Sequence, residues 1–156
     1  MKLTTVWGIF PVVITYAKID STADGTAYGP FIKLADDTVD DQKVTLAHEL
    51  VHAKQFYSLL LYIIVVASLA TVFNLFILSL LVPLILWRMS KHATLVLESA
   101  AYGESARQFV ARGQEENKVI SRLATILDQS ELYKVNKSYD TIKKRIFARY
   151  KDKRIF

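Results

Sequence analysis

The chain has 156 residues, 52% of them hydrophobic, a formal net charge of +5 and no cysteine. That length suits one domain, and the lack of cysteine excludes disulfides, thiolate-ligated zinc and thiol nucleophiles. The mean hydropathy of +0.23 is high for a soluble protein; one segment supplies most of it, while the positive charge gathers near the C-terminus in IKKRIFARYKDKRIF.

The opening stretch, MKLTTVWGIFPVVITYAKID, has the outline of a signal peptide, with Lys2 ahead of an apolar core. Pro11 interrupts that core, and Lys18 ends it without a small-x-small cleavage site. It is too short to cross a bilayer as a helix. Its Val, Ile, Thr and Tyr content favours a strand in PVVITYAKI. DSTADGTAYG is rich in turn formers, and PFIKLAD reads as a second strand. Residues 9–36 are thus expected to form a hairpin with a long loop, with Pro30 favouring an edge position for the second strand.

In DDTVDDQKVTLAHELVHAKQ the period changes to that of a helix. Thr38 and Asp41 have capping-box spacing, and acidic residues crowd the first turn. No charge follows from Gln55 to Trp87. A straight helix of that length would be about 50 Å long, against a hydrocarbon core of roughly 30 Å. A single tilted anchor is one reading. The other is a hairpin of two arms turning near residues 70–74, each about 22 Å long. Lys54 on one flank, with Arg88 and Lys91 on the other, favours a hairpin whose two ends share the cytoplasmic side, together with both termini.

KHATLVLESAAYGESARQFVARG then reads as an amphipathic helix capped near Gly113. Leu95, Glu98, Tyr102 and Ser105 line one face, and Ala100, Ala101, Gly103 and Ala106 permit close packing. ENKVISRLATILDQ gives another helix, with Val119, Ile120, Leu123, Ile126 and Leu127 inward. SYDTIKKRIFARYK gives the last, with Ile142, Ile146, Phe147 and Tyr150 apolar and a basic opposite face. The fold class is therefore α+β and mainly helical. A small N-terminal β-hairpin or sheet leads to a HELVH helix, an apolar helical hairpin over 55–87, a glutamate-bearing helix and two further helices, all in one domain.

Within the first helix, HELVH sets His48 and His52 at i and i+4, one above the other, where both imidazoles can share an ion. Glu49 lies beside them as a general base for water. The plainer alternative is a membrane-proximal helix with two histidines and no metal. For a third ligand cysteine is ruled out, and His92 is the only other histidine. Glu98 faces inward among small residues, whereas its rival Glu104 points to a different side of the same helix. Glu98 is the favoured ligand, with His92 as the outsider. Two histidines and one glutamate leave the fourth position for water, as in catalytic rather than structural zinc sites.

TLAHELVHAKQ, followed after an apolar insertion by LESAAYGESARQFVARG, resembles the gluzincin metallopeptidases over roughly residues 28–130. The nearest in kind are the membrane-embedded heat-shock and CAAX-processing proteases and the compact minigluzincins. The resemblance implies one minigluzincin-like domain over 1–156, with Glu98 and Ala101 as the E-x-x-A motif and Glu98 as third zinc ligand. It implies peptide hydrolysis, with Glu49 shuttling the proton. It also implies an edge strand that aligns a polypeptide substrate by β-addition, for which Phe31, Ile32, Lys33, Leu34 and Ala35 are the candidates. Many membrane members carry Asp directly after that alanine. Tyr102 stands here, as in the E-x-x-A-Y version of small phage and bacterial relatives. Tyr102, Arg107 and Tyr133 are the candidates for orienting a ligand or steadying the tetrahedral intermediate.

The expected partners are a polypeptide substrate, lipid through residues 55–87 and the basic C-terminal helix, and other proteins of an assembly. Nucleic acid is disfavoured, because the aromatics of the basic helix fall at packing positions. The main reading is a membrane-anchored zinc endopeptidase. The alternative is a gluzincin-fold membrane protein with little or no catalysis, serving as a component of a larger assembly such as a phage particle.

Overall fold

The computed structural model describes residues 1–17, 25–35, 39–73, 90–130 and 137–152. Among them the chain is α+β and mainly helical, with a small four-stranded sheet at the N-terminal end and four helices. β1 (Lys2–Val6) and β2 (Phe10–Tyr16) form an antiparallel hairpin, which bears out the strand reading of the opening stretch. β3 (Gly25–Tyr28) and β4 (Phe31–Leu34) form a second. The strand order is β1-β2-β4-β3.

This corrects the expected single hairpin over 9–36. β2 and β4 are neighbours but run parallel, because the segment GTAY, read as turn, supplies a strand of its own. Gly29, at φ 62°, and Pro30 make the tight turn between β3 and β4. A glycine at the first central position suits such a hairpin turn. Pro30 therefore sits outside the strand, where its missing N–H is harmless, and its carbonyl accepts from the Val13 N–H at 2.8 Å. β4 is interior despite the proline.

Alternation along the strands sends Val6, Val12, Ile14, Ile32 and Leu34 to one face. That face packs on α1 (Val39–Phe73), against Ala53, Tyr57, Leu46 and Leu50. The helix has 35 residues, about 52 Å. The HELVH helix and the first apolar arm, expected as separate elements, are one unbroken rod. Its first half lies within the domain. Its second half exposes Leu60, Leu61, Tyr62, Ile63, Ile64, Val65 and Leu69. α1 is long and apolar enough to cross a membrane. The expected capping residue Thr38 and the second arm of the apolar hairpin lie outside the described residues.

α2 (Lys91–Ala111) starts at Ser90, whose hydroxyl accepts from the Ala93 N–H at 3.1 Å. Past its end, Gly113 at φ 84° donates to Val110 O, and Gln114 donates to Phe109 O. This pair of bonds is a Schellman closure, which explains the glycine there. α2 runs antiparallel to α1, with Ser105 beside His48 and Leu97 beside Gln55. The small residues of α2 let its neighbours close in: a Cβ on Gly103 would meet Arg149 Cβ at 2.7 Å.

α3 (Glu116–Gln129) and α4 (Tyr139–Lys151) complete a helical core around Leu95, Ala106, Val119, Ile120, Leu123, Leu127, Ile142 and Ile146. Two expected core residues are exposed instead, Ile126 and Phe147. The buried stripe of α3 runs through 119, 120, 123, 124 and 127, so Ala124 takes the place expected of Ile126. The sheet core and the helical core meet at the seam between α1 and α2.

Candidate metal centre

That seam holds the site. α1 presents His48, Glu49 and His52 across one turn, and α2 presents Glu98, Tyr102 and Ser105 at the i, i+4 and i+7 positions of its facing stripe. His48 Nε2 and His52 Nε2 are 3.3 Å apart. Glu98 Oε2 lies 3.7 Å from the first and 3.5 Å from the second. Glu49 and Glu98 are both buried.

The outer nitrogens reveal which atoms point inward. The Gln55 amide donates through Nε2 to Leu97 O at 3.0 Å, which fixes its orientation. Its Oε1 then faces His52 Nδ1 at 3.0 Å and can only accept, so Nδ1 carries the proton. Ser105 Oγ donates to Ala101 O and accepts from His48 Nδ1 at 3.2 Å. Both Nε2 atoms therefore turn lone pairs toward the Glu98 carboxylate, whose buried Oε2 has no hydrogen-bond partner. With both imidazoles neutral, three lone-pair donors converge on one point.

A cation resolves this arrangement. Tetrahedral zinc, with bonds of about 2.0–2.2 Å, separates its ligand atoms by roughly 3.3–3.6 Å. The triangle here has sides of 3.3, 3.5 and 3.7 Å. His48, His52 and Glu98 thus form a buried group placed to bind a metal ion.

Without an ion, protons occupy the same place. Burial works to raise the Glu98 pKa, but the two imidazoles beside it hold the carboxyl down to about 2. Burial works to lower His52, yet hydrogen bonding and charge from Glu98, with Glu49 adding to them, raise it. Burial raises the pKa of Glu49 above the ordinary carboxyl value, against the pull of both histidines and the Ala27 N–H. A carboxyl tuned upward beside a metal-binding group has the character of a proton acceptor that can give its proton back.

The other sequence candidates fall on either side of this group. Tyr102 belongs to it, its ring meeting the His48 ring edge-on at 4.7 Å. Arg107 does not: Nη1 donates to the Arg149, Tyr150 and Asp152 carbonyls at the end of α4, and Nε donates to Glu104. That guanidinium closes a helix C-terminus and is turned away from the metal. Glu104 is spent on Arg107 and Gln108, and His92 is exposed on the first turn of α2, so neither rival replaces Glu98. Tyr133 lies outside the described residues.

The substrate-strand expectation is corrected as well. Residues 31–34 are hydrogen-bonded to β2 on one side and β3 on the other, leaving no edge for an added strand. The outer strand beside the site is β3. Its Gly25 lies so close to α1 that a Cβ would meet Thr45 Cγ2 at 2.6 Å and Glu49 Cγ at 3.3 Å. Sequence reading missed Gln55 and Ser105 as partners of the histidines. Gln55 was legible as the residue three after His52, on the same helical face. A scan of protein-family models and searches of curated proteins and of solved structures found no match.

Proposed function

We propose that this protein is a membrane-anchored zinc endopeptidase of the gluzincin kind, with His48, His52 and Glu98 holding the ion and Glu49 acting as general base. The observation that carries the reading is the triangle of inward lone pairs with Glu49 buried beside it. A divalent ion held there supplies Lewis-acid activation of water and of a carbonyl. Glu49 takes a proton from the attacking water and returns it to the leaving amine. Gln55 and Ser105 keep both Nε2 atoms unprotonated and aimed inward. A substrate strand adds along β3, where Ala27 already bonds Glu49. The apolar half of α1 and the basic C-terminal helix hold the chain on the cytoplasmic face of a membrane.

A second reading, a gluzincin-fold membrane protein with little or no catalysis that serves as a component of a larger assembly, is favoured by one observation. Arg107, a candidate for steadying the intermediate, is committed to the α4 terminus. The test is metal content by elemental analysis on detergent-purified protein, together with cleavage of an unstructured polypeptide by the wild type and Glu49→Gln. Near one zinc per chain, with cleavage lost in Glu49→Gln, supports the peptidase. Zinc retained without any cleavage in the wild type supports the scaffold. No zinc even after reconstitution sinks the peptidase and leaves the scaffold.

A further inference from the structure

We propose that the turn end of the N-terminal sheet is a second lipid contact. Trp7 and Ile9 at the β1–β2 tip, with Tyr28 and Phe31 flanking the β3–β4 turn, sit in the headgroup layer beside α1. They hold the metal site at a fixed height above the bilayer. The inference rests on the reading of the apolar half of α1 as lipid-embedded.

The topology brings these residues to one end. β2 and β4 run parallel, so both begin there, and β1 and β3 both finish there. Phe10 stacks on Tyr57 at 4.6 Å, and Trp7 packs edge-on against Phe10 at 6.0 Å. At the other turn, a Cβ on Gly29 would meet the Phe56 ring at 3.1 Å. Both turns thus abut residues 56–57 of α1, one helical turn before its exposed apolar run begins. The opposite end of the sheet lies by the start of α1, where Gln42 donates to Ala35 O.

What this end exposes is unusual for a surface facing water. Ile9 is 76% exposed, Tyr28 71%, Phe31 59% and Trp7 48%. Trp and Tyr are the side chains that settle at a membrane–water interface, with an apolar body and a polar tip. Trp7 also works against its local backbone preference. It adopts φ 52° and is followed by Gly8 at φ 72°, a pairing that ordinarily selects Asn-Gly. A bulky residue kept in the left-handed region points to a use outside the chain's own packing. α2 begins at the same end, since it runs antiparallel to α1, and exposes Lys91 on its first turn, a cation suited to lipid phosphates. The apolar rim is continuous with the apolar helix, so lipid is the occupant the arrangement selects.

One consequence sharpens the proposed substrate class. His52 is one helical turn from Phe56, about 6 Å along the axis. A site held that near the headgroups acts on polypeptide lying along the membrane surface, such as segments flanking another protein's membrane anchor.

The chain has two tryptophans, Trp7 and Trp87, which makes the test direct. The full chain carrying Trp87→Phe is reconstituted into phosphatidylcholine–phosphatidylglycerol vesicles with bromines either near the headgroup or near the chain end. The expected result is loss of Trp7 emission, greater with shallow than with deep bromines. Ile9→Asp in the same background should restore emission and open Trp7 to acrylamide. Trp7 insensitive to both brominated lipids overturns the proposal. So does acrylamide protection that grows with protein-to-lipid ratio and shows no bromine quenching, which would assign the tip to a second copy of the chain. The companion Trp7→Phe protein separates the two failures. If Trp87 is quenched while Trp7 is not, only the rim contact falls. If neither is quenched and the chain fails to float with vesicles, the membrane reading falls too.

Discussion

The two halves of α1 invert the usual relation between hydrophobicity and burial. The first half carries His48, Glu49, His52, Lys54 and Gln55, yet lies enclosed between the sheet and α2. The second half is apolar almost throughout and is the more exposed. A soluble core helix would show the opposite, because removing apolar surface from water is the main driving force of folding. The difference teaches that the buried polar side chains of the first half converge into a group that could bind a metal ion, and that the second half is long and apolar enough to belong to a membrane-crossing helix.

The comparison breaks most completely at the ligands. Glu98→Ala is expected to abolish stoichiometric metal binding, while Glu104→Ala keeps it, as elemental analysis of the purified variants would read. Next comes Glu49→Gln, which under the proposed mechanism retains the metal but lowers peptide cleavage by about 10²–10⁴-fold, the usual worth of a general base. Truncation separates the two environments directly. Ile14→Ala, under the first half of α1, should cost about 2–5 kcal/mol in denaturant unfolding, as buried Ile truncations do. Ile64→Ala on the exposed half should leave that transition unmoved, while Ile64→Lys weakens vesicle flotation. Ser105→Ala and Gln55→Ala should lower metal affinity by about 10–100-fold, the range for partners that orient a histidine ligand. Competition with a chelating dye would measure it.

The smallest expected effect is in the pH dependence of the metal-free protein. The lowered Glu98 pKa adds stability that is full above 4.5 and is lost as pH falls towards about 2. The raised His52 pKa adds stability that is full below 6.5 and is lost as pH rises through the folded value. Glu49, raised by burial, adds a cost as it ionises above 4.5. Thermal unfolding without metal should therefore be highest at the acid end of the window between 4.5 and 6.5. The gain on adding zinc should grow with pH, since the ion and protons compete for the same atoms. A metal-free optimum above neutrality would contradict this coupling.

Much of this was legible before the structure. HELVH reads as a site because an i, i+4 spacing fixes side-chain direction within one helix, whatever the helix packs against. Glu98 was legible from its place on the inward stripe of α2, and the Gly113 closure from local chain chemistry. The strand order was not, because a turn-rich segment at Gly25–Tyr28 carries too few residues to announce itself as a strand. Its pairing with β4 then decides which edge lies beside the site.

Sequence alone determined the three helices that follow the apolar run, the helical setting of HELVH, the apolar run itself and the choice of Glu98, since these depend on periodicity and spacing over a few turns. Tertiary structure alone decided that β3 rather than β4 is the outer strand, that Arg107 serves the end of α4, and that Gln55 and Ser105 set the histidine tautomers. It also decided that both sheet turns meet α1 where its exposed half begins. Each of these depends on which distant segments the fold brings within a few ångströms, and no local pattern carries that distance.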